Sequence, residues 1–314
     1  MAQSAKFVGI DCGKAFLDVA VFPTGERTRV DNDAAGHVCL IGWLAGRDVA
    51  VVGIEASGGY ERGVRDALEK GDLSVAVLDP GRVRHFAKAK GQRAKTDVID
   101  AGVIADFTAH FQPAATPADP HREGLAGLLG LRRLLVDKRA DLTKALARLP
   151  AGTGALASPV LAALDTAAEA VESQIMQQAQ ADAALTAKAR TLQSAPGIGT
   201  LTALTLAVLM PELGRISGSQ AAALLGVAPY PNDSGQHRGA RHIAGGRESA
   251  RRAVYMAVLS GAVRRRKGLM AAFYDRLIAR GKPPKVALTA CMRKLIVRLN
   301  AMLAHGQTWS EEAI

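Results

Sequence analysis

The sequence predicts an α/β unit in the N-terminal part of the chain, followed by mostly helical structure. Two short apolar runs, at residues 7–10 and 49–54, have the length and composition of buried strands. In the middle of the chain, Leu128, Leu135 and Leu142 recur every seven residues, which is a helical spacing. The chain has 314 residues, and domains of roughly 100–200 residues are common, so we expect about two domains.

The order of elements in the N-terminal part is informative. Residues 6–22 predict a strand, a tight turn at Gly13 and a second strand. Three strands at the start, followed by alternating helix and strand, are typical of a ribonuclease-H-like nuclease sheet. The further elements are predicted as a strand near 27–30, a helix over 34–45, a strand over 49–54, a helix over 60–70, a strand over 73–78 and a helix from Asp97 to about His110.

The middle segment has the seam pattern of paired helices. Its first helix ends at Pro150, and Ser158-Pro159 has the signature of a new helix start. The pattern fits a helical hairpin or coiled coil as well as it fits two ordinary amphipathic helices packed on the body of the protein. In either case we expect this segment to space or join subunits. The seam residues are Leu128, Leu131, Leu135, Leu142, Ala145 and Leu149, then Leu161, Leu164, Ala168, Val171 and Ile175.

Basic charge is concentrated at the C-terminal end. The net charge is +11; residues 1–190 carry 23 basic and 23 acidic side chains, whereas residues 191–314 carry 17 basic and 6 acidic ones. Segregated basic charge predicts a polyanionic partner, most simply nucleic acid. Three widely separated cysteines predict no disulfide framework and fit a reducing cytoplasm. No membrane span is expected, since no uncharged apolar run of about 18 residues occurs. No signal peptide is expected either, since residues 1–6 lead straight into a strand and lack an apolar core.

Four carboxylates predict a metal site. Asp11 and Glu55 each follow an apolar strand, and Asp97 and Asp100 are three residues apart on one helical face. Acids at strand ends and on a facing helix can converge, and converging carboxylates repel each other unless cations lie between them. The set therefore indicates a site for a hard cation such as Mg²⁺ and phosphoryl chemistry. The alternative to a metal ligand is a turn-capping acid for Asp11 and an acid in the first turn of a helix for Asp97. Glu55 is harder to explain in such a way, because an acid at the end of the apolar run 51–54 is costly to bury without a partner.

A set of short motifs extends over most of the chain. The motifs are Gly9-Ile10-Asp11, Glu55-Ala56, Gly58-Gly59-Tyr60-Glu61, Lys95-Thr96-Asp97, Asp100-Ala101, Pro196-Gly197-Ile198-Gly199, Pro211-Glu212-Leu213-Gly214, Leu225-Gly226-Val227-Ala228-Pro229, Ser234-Gly235, Gly245-Gly246-Arg247 and Arg293-Lys294-Leu295. Each motif is short, but their joint order is distinctive. By these motifs the chain resembles the Asp-Glu-Asp-Asp (DEDD) transposases of insertion-sequence family 110, the 116/110/902 group. Piv-type DNA invertases are similar over the same motifs.

The resemblance implies three domains and a catalytic serine. The domains are a RuvC-like nuclease domain (1–115), a helical hairpin or coiled coil (116–192) and a C-terminal transposase domain (193–314). One or two Mg²⁺ ions would be held by the four acids, and Ser234 would be the nucleophile; from the residues alone, Asp233-Ser234-Gly235 is more typical of a plain turn. The expected nucleic-acid-binding residues are Lys95, Arg238, Arg241, Arg247, Arg251 and Arg252.

The resemblance also implies partners. They are donor and target DNA, a structured non-coding bridge RNA that pairs with both, and further copies of the chain, as a dimer or a tetramer built from two dimers. Asp233 or His237 could activate Ser234. Three other functions remain open from the sequence: a site-specific invertase, a junction-resolving nuclease that uses the acids alone, and a non-catalytic nucleic-acid scaffold.

Overall fold

The chain forms two compact units, Met1–Asp119 and Pro120–Ile314. The computed structural model describes residues 5–91, 97–150, 152–231, 233, 235, 238–239, 241–264 and 268–310, with backbone alone at 97–99 and 264. Lys95, Ser234 and His237 therefore lie outside the described residues, as does the side chain of Asp97.

The first unit is a mixed five-stranded sheet covered by helices. The sheet order is β3-β2-β1-β4-β5; β2 runs antiparallel to β1 and β3, whereas β4 runs parallel to β1 and β5. This order confirms the predicted α/β class. The strands are β1 (Lys6–Cys12), β2 (Phe16–Phe22), β3 (Arg27–Asp31), β4 (Val49–Glu55) and β5 (Val75–Leu78), and the helices are α1 (Ala34–Leu44), α2 (Glu61–Lys70), α3 (Pro80–Ala89) and α4 (Asp97–Phe111).

Side chains alternate between the two faces of the sheet, because successive residues of a strand point to opposite sides. Val8 and Ile10 of β1 pack in one cluster with Leu40 of α1 and Leu68 of α2. On the other face, α3 and α4 pack on β5 through a second cluster: Ala76, Leu78, Val83, Val103, Ile104 and Phe107. Each face of the sheet is thus covered by a layer of helices.

Two glycines let α4 lie directly on the sheet. A Cβ atom on Gly9 of β1 would lie 2.1 Å from the backbone nitrogen of Ala105 and 2.4 Å from the carbonyl oxygen of Ala101. On Gly53 of β4 it would lie 2.0 Å from Oγ1 of Thr108. At Gly9 the backbones of β1 and α4 approach more closely than any Cβ allows, and at Gly53 the space that a Cβ would need is occupied by the side chain of Thr108. This contact fixes the position of α4 over the sheet.

Replacing Gly9 with alanine is expected to lower the free energy of unfolding by about 3 kcal/mol, because the new methyl group meets backbone atoms that cannot rotate away. The measurement is urea unfolding. A matched control is Gly42→Ala in α1, where an added Cβ meets nothing within 4 Å. Alanine there should be neutral, or stabilising by about 0.5–1 kcal/mol. Equal unfolding midpoints for the two variants would contradict the close approach.

Helix α3 is not among the predicted elements, because Asp79-Pro80-Gly81 is also typical of a turn that ends a strand. In the structure the side chain of Asp79 accepts a hydrogen bond from the backbone nitrogen of Arg82 at 2.9 Å, and Pro80 occupies the first turn. An acidic N-cap followed by proline is a helix start. The basic residues that follow therefore lie, as far as Ala89, on a helix.

The second unit is mostly helical. The α5–α6 pair is an antiparallel hairpin, because Arg132 pairs with Glu172 whereas Arg139, one heptad later, pairs with the earlier Asp165. The helices are α5 (Pro120–Leu146), α6 (Ser158–Gln180), α7 (Ala183–Gln193), α8 (Thr200–Leu209), α9 (Gly218–Leu225), α10 (Glu248–Val258), α11 (Gly268–Ala279) and α12 (Pro284–His305), with a short ribbon of β6 (Pro229–Tyr230) and β7 (His242–Ile243).

Only one end of the α5–α6 hairpin is packed in the core of the second unit. Leu125 of α5 and Ile175 of α6 are fully buried there among residues of α8, α10 and α12. Along the rest of the hairpin, Leu131 and Leu149 of the expected seam are 43% and 52% exposed. These seam positions are therefore not covered within one chain.

One helical stretch in the described part of the chain, Thr153–Gln180, has the length and hydropathy to cross a membrane. This observation is weak, since core helices of soluble proteins meet the same criteria. In the structure, Asp165 and Glu172 of this stretch pair with arginines of α5. Its polar side is thus occupied by protein contacts.

Candidate active site

Asp11 and Glu55 lie side by side at one edge of the sheet. Strands β1 and β4 are parallel neighbours, with Ile10 opposite Ile54, so the residue after each of these comes to the same edge. Both carboxylates are half-buried. The convergence predicted from two separate strand ends is therefore present for this pair.

Helix α4 brings a third carboxylate to the same place. Ala101 and Ala105 of α4 are buried against the sheet, and Asp100 immediately precedes the first of them. Asp11, Glu55 and Asp100 all line one cavity of about 390 Å³. Asp97 begins α4 three residues before Asp100, which is one helical turn. The other lining residues are Cys12, Gly13, Lys14, Ala15, Phe16, Asp18 and Arg29.

The donor set of this cavity suits a hard cation. Carboxylate oxygens are the ligands that Mg²⁺ prefers, and Asp11, Glu55 and Asp100 supply them. Within the described part of the chain, no three His, Cys, Asp or Glu side chains are already close enough to enclose a metal ion. The cavity therefore fits a divalent ion in the chemistry of its donors, with carboxylates that would have to draw together around it.

The thiol in the cavity does not compete as a ligand. Burial raises the pKa of Cys12, and the negative charges of Asp11, Glu61 and Glu55 raise it further. Cys12 is thus a protonated, apolar neighbour of the acids, and soft-metal binding by a thiolate is disfavoured.

Of the arginines expected to bind nucleic acid, three build the second unit itself. Arg247 donates two hydrogen bonds of 2.6 Å to Glu212 and one of 2.9 Å to the carbonyl oxygen of Leu209. Arg251 donates to the carbonyl oxygen of Gly245 at 2.6 Å. Arg252 makes a bidentate ion pair with Asp137 of α5.

Two further arginines lie on the loop between β6 and β7. Arg241 pairs with Asp233 at 2.6 Å, and this pair lowers the pKa of the Asp233 carboxyl. Arg238 is exposed. Asp233 is thus held as a carboxylate by an arginine, and Arg238 and Arg241 place positive charge in the part of the loop that follows position 234.

Two family models, both of transposases, match this chain. A profile described as a transposase, with DEDD in its name, matches residues 8–149, and a profile of the transposase IS116/IS110/IS902 family matches residues 189–275. Together they cover more than half of the chain. The protein belongs to this transposase family. It is accordingly a DNA transposase or recombinase enzyme.

Similar proteins extend over nearly the full length of the transposase. The pilin gene-inverting proteins of Moraxella lacunata and Moraxella bovis are each 24% identical to it over 323 aligned residues, which cover 98% of this chain and 99% of theirs. Two structures of Thermus thermophilus RuvC, one in complex with a Holliday junction substrate, match 35% of this chain and 98% of their own, with 16% identity and TM-scores of 0.29 and 0.28.

A pair of loop contacts in the transposase was not predicted from its sequence. The side-chain nitrogen of Asn32 donates to the carbonyl oxygens of Gly13, at 2.9 Å, and Tyr60, at 3.1 Å. It thereby ties the loop after Asp11 to the loop after Glu55. His37 donates from Nε2 to the side-chain oxygen of Asn32 at 2.9 Å, which fixes the orientation of the amide. No local sequence signal marks Asn32, because its partners are backbone oxygens of distant loops.

The loop after Glu55 is also closed on itself. The carboxylate of Glu61 accepts hydrogen bonds from the backbone nitrogens of Ser57, at 3.1 Å, and Gly59, at 2.8 Å. Burial opposes the charged form, but these bonds outweigh it and lower the pKa of Glu61. Gly58 and Gly59 take positive φ angles of 74° and 113° there. Such φ angles favour glycine, so the two glycines are the sequence signal that could have identified this turn.

Proposed function

We propose that this transposase cuts and rejoins DNA strands with Ser234 as nucleophile and with one or two Mg²⁺ ions held by Asp11, Glu55, Asp97 and Asp100. The observation that carries the proposal is the convergence of Asp11, Glu55 and Asp100 on one cavity. Family membership supports the general reaction, and the shared cavity supports a metal-assisted version of it. The four acids would act as a set, with Asp97 one helical turn from Asp100.

Each acid has a defined task in this proposal. Asp11 and Glu55 would bind cations at the edge of the sheet, and Asp97 and Asp100 would bind them from α4. A bound divalent ion supplies positive charge that neutralises the phosphate and stabilises the departing oxygen. The hydrogen bonds of Asn32 and Glu61 hold the loops that follow Asp11 and Glu55, so that the backbone there stays in place while the carboxylate side chains draw together around a cation.

The serine step keeps the number of ester bonds to phosphorus unchanged, because one bond forms as another breaks. The Ser234 oxygen attacks phosphorus, the bond between phosphorus and one sugar oxygen breaks, and the proton of the serine passes to that departing oxygen. The products are a phosphoserine–DNA link and a free DNA hydroxyl. Attack by the hydroxyl of a second strand reverses the step and releases the serine, so rejoining needs no external energy source. Two residues are candidates to accept the serine proton before it reaches the departing oxygen. They are Asp233, which is held as a carboxylate beside Arg241, and His237.

The remaining parts of the proposal concern partners. We assign residues 1–115 to the nuclease domain, 116–192 to the helical hairpin and 193–314 to the serine-bearing domain. Donor and target DNA would bind the basic C-terminal part, where Arg238 and Arg241 contact phosphate and Arg247, Arg251 and Arg252 support the surface. Lys95 of the nuclease domain would add a further phosphate contact. A structured bridge RNA would select the DNA, and a dimer or tetramer would act in the cytoplasm on chromosomal DNA.

The test is to express the chain in a bacterial host on a plasmid with its native flanking DNA and to sequence every new DNA junction. Insertions that share the same ends at many positions would support transposition, and a structured RNA that co-purifies with the chain would support guidance. The matched control is the same plasmid with Asp11→Asn. Hydrolysed ends without any rejoined junction would refute the strand-transfer proposal in favour of a simple nuclease.

A second candidate function is inversion of a fixed DNA segment. It is favoured by the two pilin gene-inverting relatives, whose similarity covers 98% of this chain. Cleavage and rejoining would use the same residues, and only the arrangement of the DNA ends would differ. Junctions that reverse one segment in place, with no insertion elsewhere, would decide for inversion.

A further inference from the structure

A row of three charged residues crosses the sheet beside the acid cavity. Asp11 of β1 lies opposite Asp18 of β2, which lies opposite Arg29 of β3. Directly opposed residues on neighbouring strands point to the same face. All three residues line the same cavity as Glu55 and Asp100. The row thus leads from the proposed metal site across two strands to a cation.

The middle of the row is tightly bonded. Arg29 donates from Nε and Nη2 to the two oxygens of Asp18, at 2.9 and 2.8 Å. Only 12% of the Asp18 side chain is exposed, whereas 50% of the Arg29 side chain is exposed. Two acids opposite each other are unfavourable, and an ion pair of this kind adds little net stability. Stability is therefore a poor explanation for the row, and a half-exposed guanidinium held at a cavity wall points to a ligand.

An aromatic ring completes the cavity wall. Phe16 is 48% exposed and lines the cavity, and the guanidinium carbon of Arg29 lies 5.7 Å from the centre of its ring. Exposed aromatic rings next to basic side chains are surfaces on which nucleic-acid bases stack. A cavity rich in carboxylates would repel a DNA strand unless cations on its wall offset that charge, and Arg29 and Lys14 are the basic residues among its lining.

We propose that Arg29 and Phe16 form a subsite for a nucleotide within about three positions of the cleaved phosphate, in which Arg29 binds the phosphate of that nucleotide and Phe16 stacks on its base. The proposal rests on the proposed function of the acids. Two strand spacings place the backbones of Asp11 and Arg29 about 10 Å apart. Consecutive phosphates of one strand advance about 3.4 Å along a duplex. The strand would therefore reach Arg29 within about three nucleotides of the acids. Asp18 is a positioning residue that orients the guanidinium.

The test is DNA binding by the full chain in EDTA, measured by fluorescence anisotropy over a range of salt concentrations. The double variant Arg29→Gln/Asp18→Asn removes the cation and its partner without changing the net charge. We expect about a tenfold weaker affinity and a salt dependence, as the slope of log K against log salt, that is smaller by about 0.7–0.9, the value for one lost phosphate contact.

The matched control is Arg47→Gln/Glu26→Gln. Arg47 also donates two hydrogen bonds to a carboxylate, at 3.1 and 3.0 Å, and lies 4.1 Å from the centre of the Trp43 ring, yet it is not among the residues that line the cavity. This variant should bind DNA as the wild type does. Equal affinity and slope for the two double variants would overturn the subsite.

A second variant keeps the test independent of the ion pair. Because Phe16 is exposed, Phe16→Leu should fold normally, and we expect about a tenfold loss of affinity for single-stranded DNA, since stacking contributes roughly 1–3 kcal/mol per base. Phe16→Tyr should retain binding. Unchanged affinity in Phe16→Leu would overturn the stacking role. Binding in EDTA involves no cleavage, so failure of the subsite is distinguishable from failure of the proposed chemistry.

Discussion

Replacing Ser234 with alanine is expected to abolish the covalent link between protein and DNA and to lower recombination by about 10³-fold or more, the size of effect seen when a covalent nucleophile is removed. The hydroxyl oxygen is the atom that would hold the DNA end between cleavage and rejoining, and alanine leaves no substitute. The measurement is a denaturing gel with end-labelled DNA in Mg²⁺, on which the adduct migrates with the protein.

The control for this prediction is Ser173→Ala. Ser173 is exposed in α6, and its hydroxyl donates to the carbonyl oxygen of Glu169 at 3.0 Å, a contact that carries no chemistry. This variant should form the adduct at the wild-type level. A labelled adduct that persists in Ser234→Ala would exclude this serine, and wild-type cleavage without any adduct would favour a nuclease that uses the acids alone.

Sequence reasoning could bring Asp11 and Glu55 to one edge of the sheet because their positions follow from regular geometry. Asp11 and Glu55 each follow a buried run, and parallel neighbours end at the same edge. Asp100 could be placed over them only if its helix lay on the sheet, and the sequence indicates that contact only indirectly. The indirect indication is that Gly9 and Gly53 interrupt otherwise apolar, β-branched strands at the positions where α4 approaches. A glycine inside a strand marks a close backbone approach.

The hydrogen bonds that tie together the loops next to the acids could not be predicted from one sequence. Asn32 acts through backbone carbonyl oxygens 19 and 28 residues away, and any loop could in principle present such oxygens. The row from Asp11 to Arg29 was missed for a related reason. Charge counting treats Asp18 and Arg29 as one cancelled pair, whereas the strand register places them on the wall of a cavity.

In the basic C-terminal part, charge counting predicts a partner but does not identify the side chains that bind it. Its excess of 17 basic over 6 acidic residues predicts an anionic partner. It cannot identify which arginines remain available, because Arg247 pairs with a glutamate 35 residues away and Arg252 with an aspartate 115 residues away. These arginines fix α10 to the elements around it. The collective field of the region therefore carries more of the argument for nucleic-acid binding than these side chains do.

Removing a single acid is expected to separate catalysis from DNA binding. In Asp11→Asn and Glu55→Gln, the side-chain volume is kept while one negative charge and one strong Mg²⁺ ligand are lost. We expect DNA cleavage to fall by about 10³-fold or more, since metal assistance stabilises the departing charge by several kcal/mol. DNA affinity in EDTA should stay constant or rise, because a carboxylate that repels phosphate has been removed.

The dependence on metal concentration makes this prediction specific to a cation site. Any residual activity of Asp11→Asn or Glu55→Gln should need a higher Mg²⁺ concentration for half-maximal rate, and calorimetric titration of the protein with Mn²⁺ should show weaker binding than in the wild type. The control is Asp72→Asn, an exposed acid with φ 57°, a conformation that asparagine tolerates. If the two site variants cleave DNA at the wild-type rate with an unchanged metal requirement, the acids that meet in this cavity do not bind the catalytic cation, and the convergence of Asp11, Glu55 and Asp100 must serve the fold alone.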